Sequence, residues 1–185
     1  MNWVVFGVTA YVFFAVQSGF AVGWSVGAGV TPNLLLVLAV FVGMSARRSA
    51  VPWSLLVVGV LLDLLPGPVR EQGTLVGPQA VGYLAASFVV LQLRNLLFRE
   101  SVLTMVVLVF AVGGFAALVE SVLYAFRGLP WLAGEPLAWG AMEQLWRRLQ
   151  ELVYTAAVAV PVGLLLGATR RVWGFSGRPR GERVF

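Results

Sequence analysis

Trp3-Val-Val-Phe-Gly-Val-Thr-Ala-Tyr-Val-Phe-Phe-Ala-Val-Gln-Ser-Gly-Phe-Ala-Val-Gly23 carries no charged side chain. As a helix it is long enough to cross the ~30 Å hydrocarbon core of a bilayer. Its start, Met-Asn-Trp, lacks the positive region of a signal peptide, so the run reads as a retained helix. Similar runs fill the rest of the chain. Spans are expected at about 3–23, 32–46, 50–66, 75–93, 102–126 and 152–169. The apolar cores of the second and third (Pro32 to Met44 and Val51 to Leu65) fall below the ~17 residues a span usually needs. They are expected to borrow their flanks or to thin the local bilayer. Pro32 and Pro52 stand at their starts, where a missing N–H costs nothing.

Composition points the same way. The chain is 59% hydrophobic and 11% charged, with a mean hydropathy of +0.89. A soluble domain carries about 25% charged residues to face water. Lipid must therefore be the solvent over most of the surface, and the expected fold class is an all-α membrane protein, a single bundle of about six transmembrane helices over residues 1–172. Cysteine and histidine are absent, and all thirteen basic residues are Arg. That excludes disulfides, thiolate or imidazole metal sites, His-based acid–base catalysis, Schiff-base lysines and P-loops. No catalytic residue, metal or cofactor is expected. The net charge of +5 is scattered between apolar runs, which suits topology signals and not a nucleic-acid interface.

Two segments differ from the spans. Over about 137–151, Ala138, Met142, Leu145, Leu149 and Leu152 recur at three- and four-residue steps, with Glu143, Arg147, Arg148 and Glu151 opposite. This predicts an amphipathic interfacial helix, lying in the membrane surface or leading into the last span, with Trp131, Trp139 and Trp146 at headgroup depth. Residues 173–185 form an Arg-rich tail, expected to be cytoplasmic and disordered. With a cytoplasmic N-terminus, Arg47, Arg48, Arg94, Arg99, Arg170, Arg171, Arg178, Arg180 and Arg183 lie inside, and Arg70, Arg127, Arg147 and Arg148 outside. That is the positive-inside bias, so both termini are expected inside.

Few residues carry chemistry. Asp63, near the end of the third span, is an expensive group close to hydrocarbon; it predicts a structural or binding contact, or a water-exposed or helix-capping role. Glu120 lies deeper, and with no basic residue one turn away its partner must come from another element. Gln17, Ser18, Gln79, Tyr83, Ser87 and Gln92 are suited to gluing helices by hydrogen bonds, or to lining a cavity. Gly23/Gly27 and Gly163/Gly167 match the spacing of close helix approach, as does Gly73/Gly77 in a loop.

One stretch resembles a known family. Thr31-Pro-Asn-Leu-Leu-Leu-Val-Leu-Ala-Val-Phe41, Val58-Gly-Val-Leu-Leu-Asp-Leu-Leu-Pro-Gly67 and Gly77-Pro-Gln-Ala-Val-Gly-Tyr83, closed by Arg94 in Leu91-Gln-Leu-Arg-Asn95, together look like the rod shape-determining protein MreD family. Pro32, Gly59, Asp63, Gly77 and Arg94 carry the information, and the resemblance covers roughly residues 31–100. Asn33 departs from it, standing where an acidic residue is usual, and the loop from Pro66 to Val76 is longer and more polar than typical. The resemblance implies a non-enzymatic inner-membrane subunit that works with MreC and, through it, with MreB, RodA and a class B penicillin-binding protein. Pro32, Asn33, Gly59, Asp63, Gly77, Tyr83, Arg94 and Glu120 are then the partner-binding or structural candidates. The family is also similar in architecture to the substrate-binding subunits of energy-coupling-factor transporters. This supplies the alternative expectation, a solute-binding subunit with Gln17, Asp63, Gln79, Tyr83 and Glu120 lining a pocket.

Overall fold

From Leu34 to Gly43 the sequence offers no polar side chain, so a helix formed there has no face to turn toward water. In the computed structural model, which describes residues 1–20, 31–65, 77–96, 102–127, 141–170 and 172–175, this helix is the axis of the fold. The described residues form six helices in order: α1 (Trp3–Phe20), α2 (Leu34–Ser45), α3 (Val51–Leu64), α4 (Pro78–Leu96), α5 (Val102–Arg127) and α6 (Ala141–Ala168). Among the described residues all regular structure is helical. Every residue of α2 from Leu35 to Gly43 is buried.

The remaining helices wrap this axis. α3 packs on α4, α4 on α5 and α5 on α6, and α2 touches all of the other five; α1 lies against α2 and α3. The shortness of α2 follows from its position. A helix of 12 residues is roughly 18 Å long, too short to face lipid along its own length, but α2 is enclosed by protein. The outer faces are apolar as well: Tyr11 on α1, Trp53 on α3, Phe88 on α4 and Leu103 on α5 are all well exposed. Among the described residues two stretches are long and apolar enough to cross a membrane, Leu103–Tyr124 and Trp146–Ala168, while Trp3–Gly19, Leu34–Ser45 and Val51–Leu64 are shorter apolar helices.

Three expectations are refined or corrected. Of the two arrangements expected for the amphipathic segment, its described part takes the second and leads into the last span, because α6 runs unbroken from Ala141 to Ala168 and no Gly or Pro between 141 and 160 interrupts it. Its two faces are not cleanly separated: Leu152 packs inward beside Gly113, and polar groups join it there. Trp146 and Leu149 point outward, whereas Arg148 and Glu151 turn toward α5 and into the bundle. Second, Trp173 is no part of a disordered tail. It is 1% exposed, stacked on Phe175 and edge-on to Phe41, and its carbonyl accepts the Asn2 N–H at 2.8 Å. Third, Pro32 stands before the helix and not in its first turn, because Asn33 takes the capping position and α2 starts at Leu34. Pro52 and Pro78 do occupy first turns. Of the pair Gly163/Gly167, Gly163 sits close to Met105 and Gly167 faces open space.

Several sequence readings lie outside the described residues: Gly23 and Gly27, the loop over 66–76 with Arg70 and Gly73, and Arg99. So do Trp131, Trp139, Ala138, Arg171 and the tail over 176–185, as do the side chains of Arg127, Met142, Glu143 and Leu145.

Candidate functional site

The N-terminus of α4 has an unusual problem. Pro78 is its first residue and has no N–H, and Gly77 before it has no side chain with which to cap the helix. Gly77 adopts φ of 134°, a conformation that residues with a Cβ rarely take. The cap comes instead from another helix. The Asp63 carboxylate, at the end of α3, accepts the N–H groups of Gly77 at 3.0 Å, Gln79 at 3.2 Å and Ala80 at 3.0 Å. Asp63 is buried, so its charge is balanced by these donors and by the positive end of the α4 dipole. Gly59, one turn earlier on the same face of α3, allows this approach: a Cβ there would lie 2.6 Å from the Ala80 Cα.

Asn33 does the same work for α2, from within its own segment. Its Oδ1 accepts the Leu36 N–H at 2.9 Å, and the Gln17 side chain of α1 accepts the Leu35 N–H at 3.3 Å. The Asn33 amide Nδ2 donates to the Tyr83 phenol oxygen on α4 at 3.2 Å, and its backbone N–H donates to Thr155 Oγ1 on α6 at 2.9 Å. A carboxylate at this position could only accept from the Tyr83 hydroxyl, whereas the Asn33 amide donates to it. At the opposite end of α2, Arg94 Nη1 donates to the Gly43 carbonyl at 3.2 Å and to the Ala46 carbonyl. Cations belong at a helix C-terminus. α4 therefore grips α2 at both ends.

Behind Tyr83 lies the charged part of the site. Arg148 Nη2 is 2.7 Å from Glu120 Oε1, and its Nη1 is 3.3 Å from Glu151 Oε2. Glu120 is 7% exposed, and its partner comes from another helix, as its own helix required. These groups, with Gln79, Tyr83 and Thr155, line a pocket of about 40 Å³ between α2, α4, α5 and α6. A water needs about 10–15 Å³ of such space, so the pocket has room for about three.

The structure thus gathers Asn33, Tyr83 and Glu120 in one place, puts Gly59, Asp63 and Gly77 at the adjoining α3–α4 junction, and leaves Arg94 at the far end. Arg148, Glu151 and Thr155 were not foreseen as part of this site. Their signal was present: spacings of three and four residues put them on one face of α6. Among the described residues no group of His, Cys, Asp or Glu side chains is arranged to hold a metal ion. The arrangement can join helices and offer polar atoms to a small guest. No family model, curated protein or solved structure matches the chain.

Proposed function

We propose that the chain is a six-span scaffold of the bacterial inner membrane, of the MreD type, that holds MreC and through it the cell-elongation machinery. In this reading the protein performs no chemistry. It is a multi-pass subunit with both termini in the cytoplasm, so that the Arg94 end of the bundle faces inward and the Asp63 end outward. MreB, RodA and a class B penicillin-binding protein are indirect partners.

The observation that carries the reading is the use of the residues on which the resemblance rests. Gly59, Asp63, Gly77 and Arg94 all serve helix junctions within one packed unit of α2, α3 and α4. Such residues shape a rigid surface and do not present reactive groups to a substrate. The absence of His, Cys and Lys from the sequence supports the same view. The pocket favours a second reading, a solute-binding subunit similar to those of energy-coupling-factor transporters. Its volume of about 40 Å³ ranks that reading second, since sites for small molecules usually enclose about 300 Å³ or more.

Tagged protein purified from its native membrane is expected to bring down an MreC-like protein, and its depletion is expected to round the cells. Recovery of a vitamin-sized ligand without such a partner would overturn the proposal. Alkaline phosphatase fused after Phe185 is expected to be inactive, and activity there would reverse the assigned orientation.

A further inference from the structure

The pocket between α2, α4, α5 and α6 is polar where a membrane bundle should be apolar, and its charges do not balance. Among the described residues, two carboxylates, Glu120 and Glu151, face one guanidinium, that of Arg148. Both of the Arg148 terminal nitrogens are engaged, one by each carboxylate. Donors remain in the Gln79 amide, the Tyr83 hydroxyl and the second N–H of each Arg148 terminal nitrogen, but the charge left over is negative. Each carboxylate has a second oxygen beyond its contact with Arg148, and Gln79 adds a side-chain carbonyl at the wall. The Tyr83 oxygen, already accepting from Asn33, keeps a lone pair. An anionic guest would meet a net negative charge, since the two carboxylates outnumber the one guanidinium. A cation would meet complementary charge and open lone pairs.

We propose that this pocket is a receptor for a single cationic N–H group, an ammonium or guanidinium, seated between Glu120, Glu151 and Tyr83. The size suits this guest. The space for about three waters accepts the head of a basic side chain or a small organic cation, and little more. Two sources offer that chemistry: a basic side chain of a partner helix docked beside α5 and α6, or a free small amine. The first rests on the scaffold reading and the second does not. In either case binding restores neutrality in a half-buried site, where an uncompensated charge is costly.

The test uses the full chain in lipid nanodiscs, with methylguanidinium chloride as the probe and thermal unfolding followed by tryptophan fluorescence. Methylguanidinium is expected to raise the Tm in a saturable way, while sodium and tetramethylammonium chlorides at equal ionic strength do not, because neither has an N–H to donate. Glu151→Gln, at a position 27% exposed, is expected to leave the chain folded and to weaken the response about tenfold or more. Tyr83→Phe keeps the ring and is expected to weaken it less. An equal response to all three salts, or one unchanged in Glu151→Gln, would overturn the proposal. The two sources are told apart in the complex with the captured partner. If a partner side chain fills the pocket, the methylguanidinium response disappears in the complex; if the natural guest is a free amine, the response persists there. Loss of partner capture with the response intact would remove the scaffold reading and leave this site standing.

Discussion

Arg148 reaches back along the chain to Glu120, placing Nη2 2.7 Å from Oε1 and joining α6 to α5 beside the only acidic side chain of α5. The pair is asymmetric: the Glu120 side chain is 9% exposed and that of Arg148 33%. Removing the cation therefore harms the structure more than removing the anion. A lone guanidinium at that position can turn toward the surface, whereas a lone carboxylate at Glu120 cannot.

Arg148→Gln is expected to lower stability by about 3 kcal/mol, at the low end of the range for breaking a buried pair because Arg148 is partly solvated. Glu120→Gln is expected to cost less. The double variant Glu120→Gln/Arg148→Gln is expected to be more stable than Arg148→Gln alone. Unfolding in nanodiscs checks this, and additive losses would show that the two side chains do not depend on each other.

At the α3–α4 junction the asymmetry lies within one carboxylate. Oδ2 of Asp63 accepts two N–H groups, from Gly77 and Ala80, while Oδ1 accepts only that of Gln79. In Asp63→Asn the remaining oxygen is best used facing the two donors, and the new NH2 group then opposes the Gln79 N–H. The expected cost is about 1–2 kcal/mol, with membrane insertion intact. Hydrogen exchange should quicken most at Gln79. Under the proposed function, capture of the partner should weaken in step, because the N-terminus of α4 is then loosely held.

The helices and their order were legible in the sequence because long apolar runs separated by Arg, Gly and Pro leave few other arrangements. The need of Glu120 for a partner on another element was legible too, from the absence of a base one turn away. The identity of that partner was not. Arg148 and Glu151 were read only as the polar face of an interfacial helix, but in this bundle the outer faces are apolar and polar groups turn inward to find one another. The central position of α2 was equally hidden. A short apolar run reads the same whether lipid or protein surrounds it, and only the packing of the other five helices distinguishes the two.

Glycines at two positions are expected to respond in opposite directions. A Cβ at Gly59 would lie 2.6 Å from the Ala80 Cα, a backbone atom that can retreat only if α4 moves away from α3. Gly59→Ala is expected to destabilise by about 1–3 kcal/mol and to disturb the Asp63 cap one turn further on. Gly114 on α5 has nothing within 4 Å of its would-be Cβ. Gly114→Ala is expected to stabilise by about 0.5–1 kcal/mol through lower backbone entropy in the unfolded chain. Parallel unfolding curves for the two variants test the contact directly.

Trp146 and Trp173 provide a matched pair at opposite ends of α6. Trp146 is 61% exposed, while Trp173, just beyond the helix, is 1% exposed. Trp173 also donates its indole N–H to Thr169 Oγ1 at 3.2 Å and packs edge-on against Phe41 of the central helix with ring centres 5.3 Å apart. Truncating it empties a fully buried aromatic volume beside α2, so Trp173→Ala is expected to cost about 3–5 kcal/mol. Trp146→Ala leaves no cavity and is expected to change stability by about 0.5 kcal/mol or less. The Asn2 N–H, held at 2.8 Å by the Trp173 carbonyl, adds a local readout. Its exchange should quicken in Trp173→Ala and not in Trp146→Ala, because only the first variant frees the segment that ties the N-terminus to the end of α6. Equal losses from both variants would mean that burial against Phe41 contributes nothing beyond ordinary interfacial anchoring.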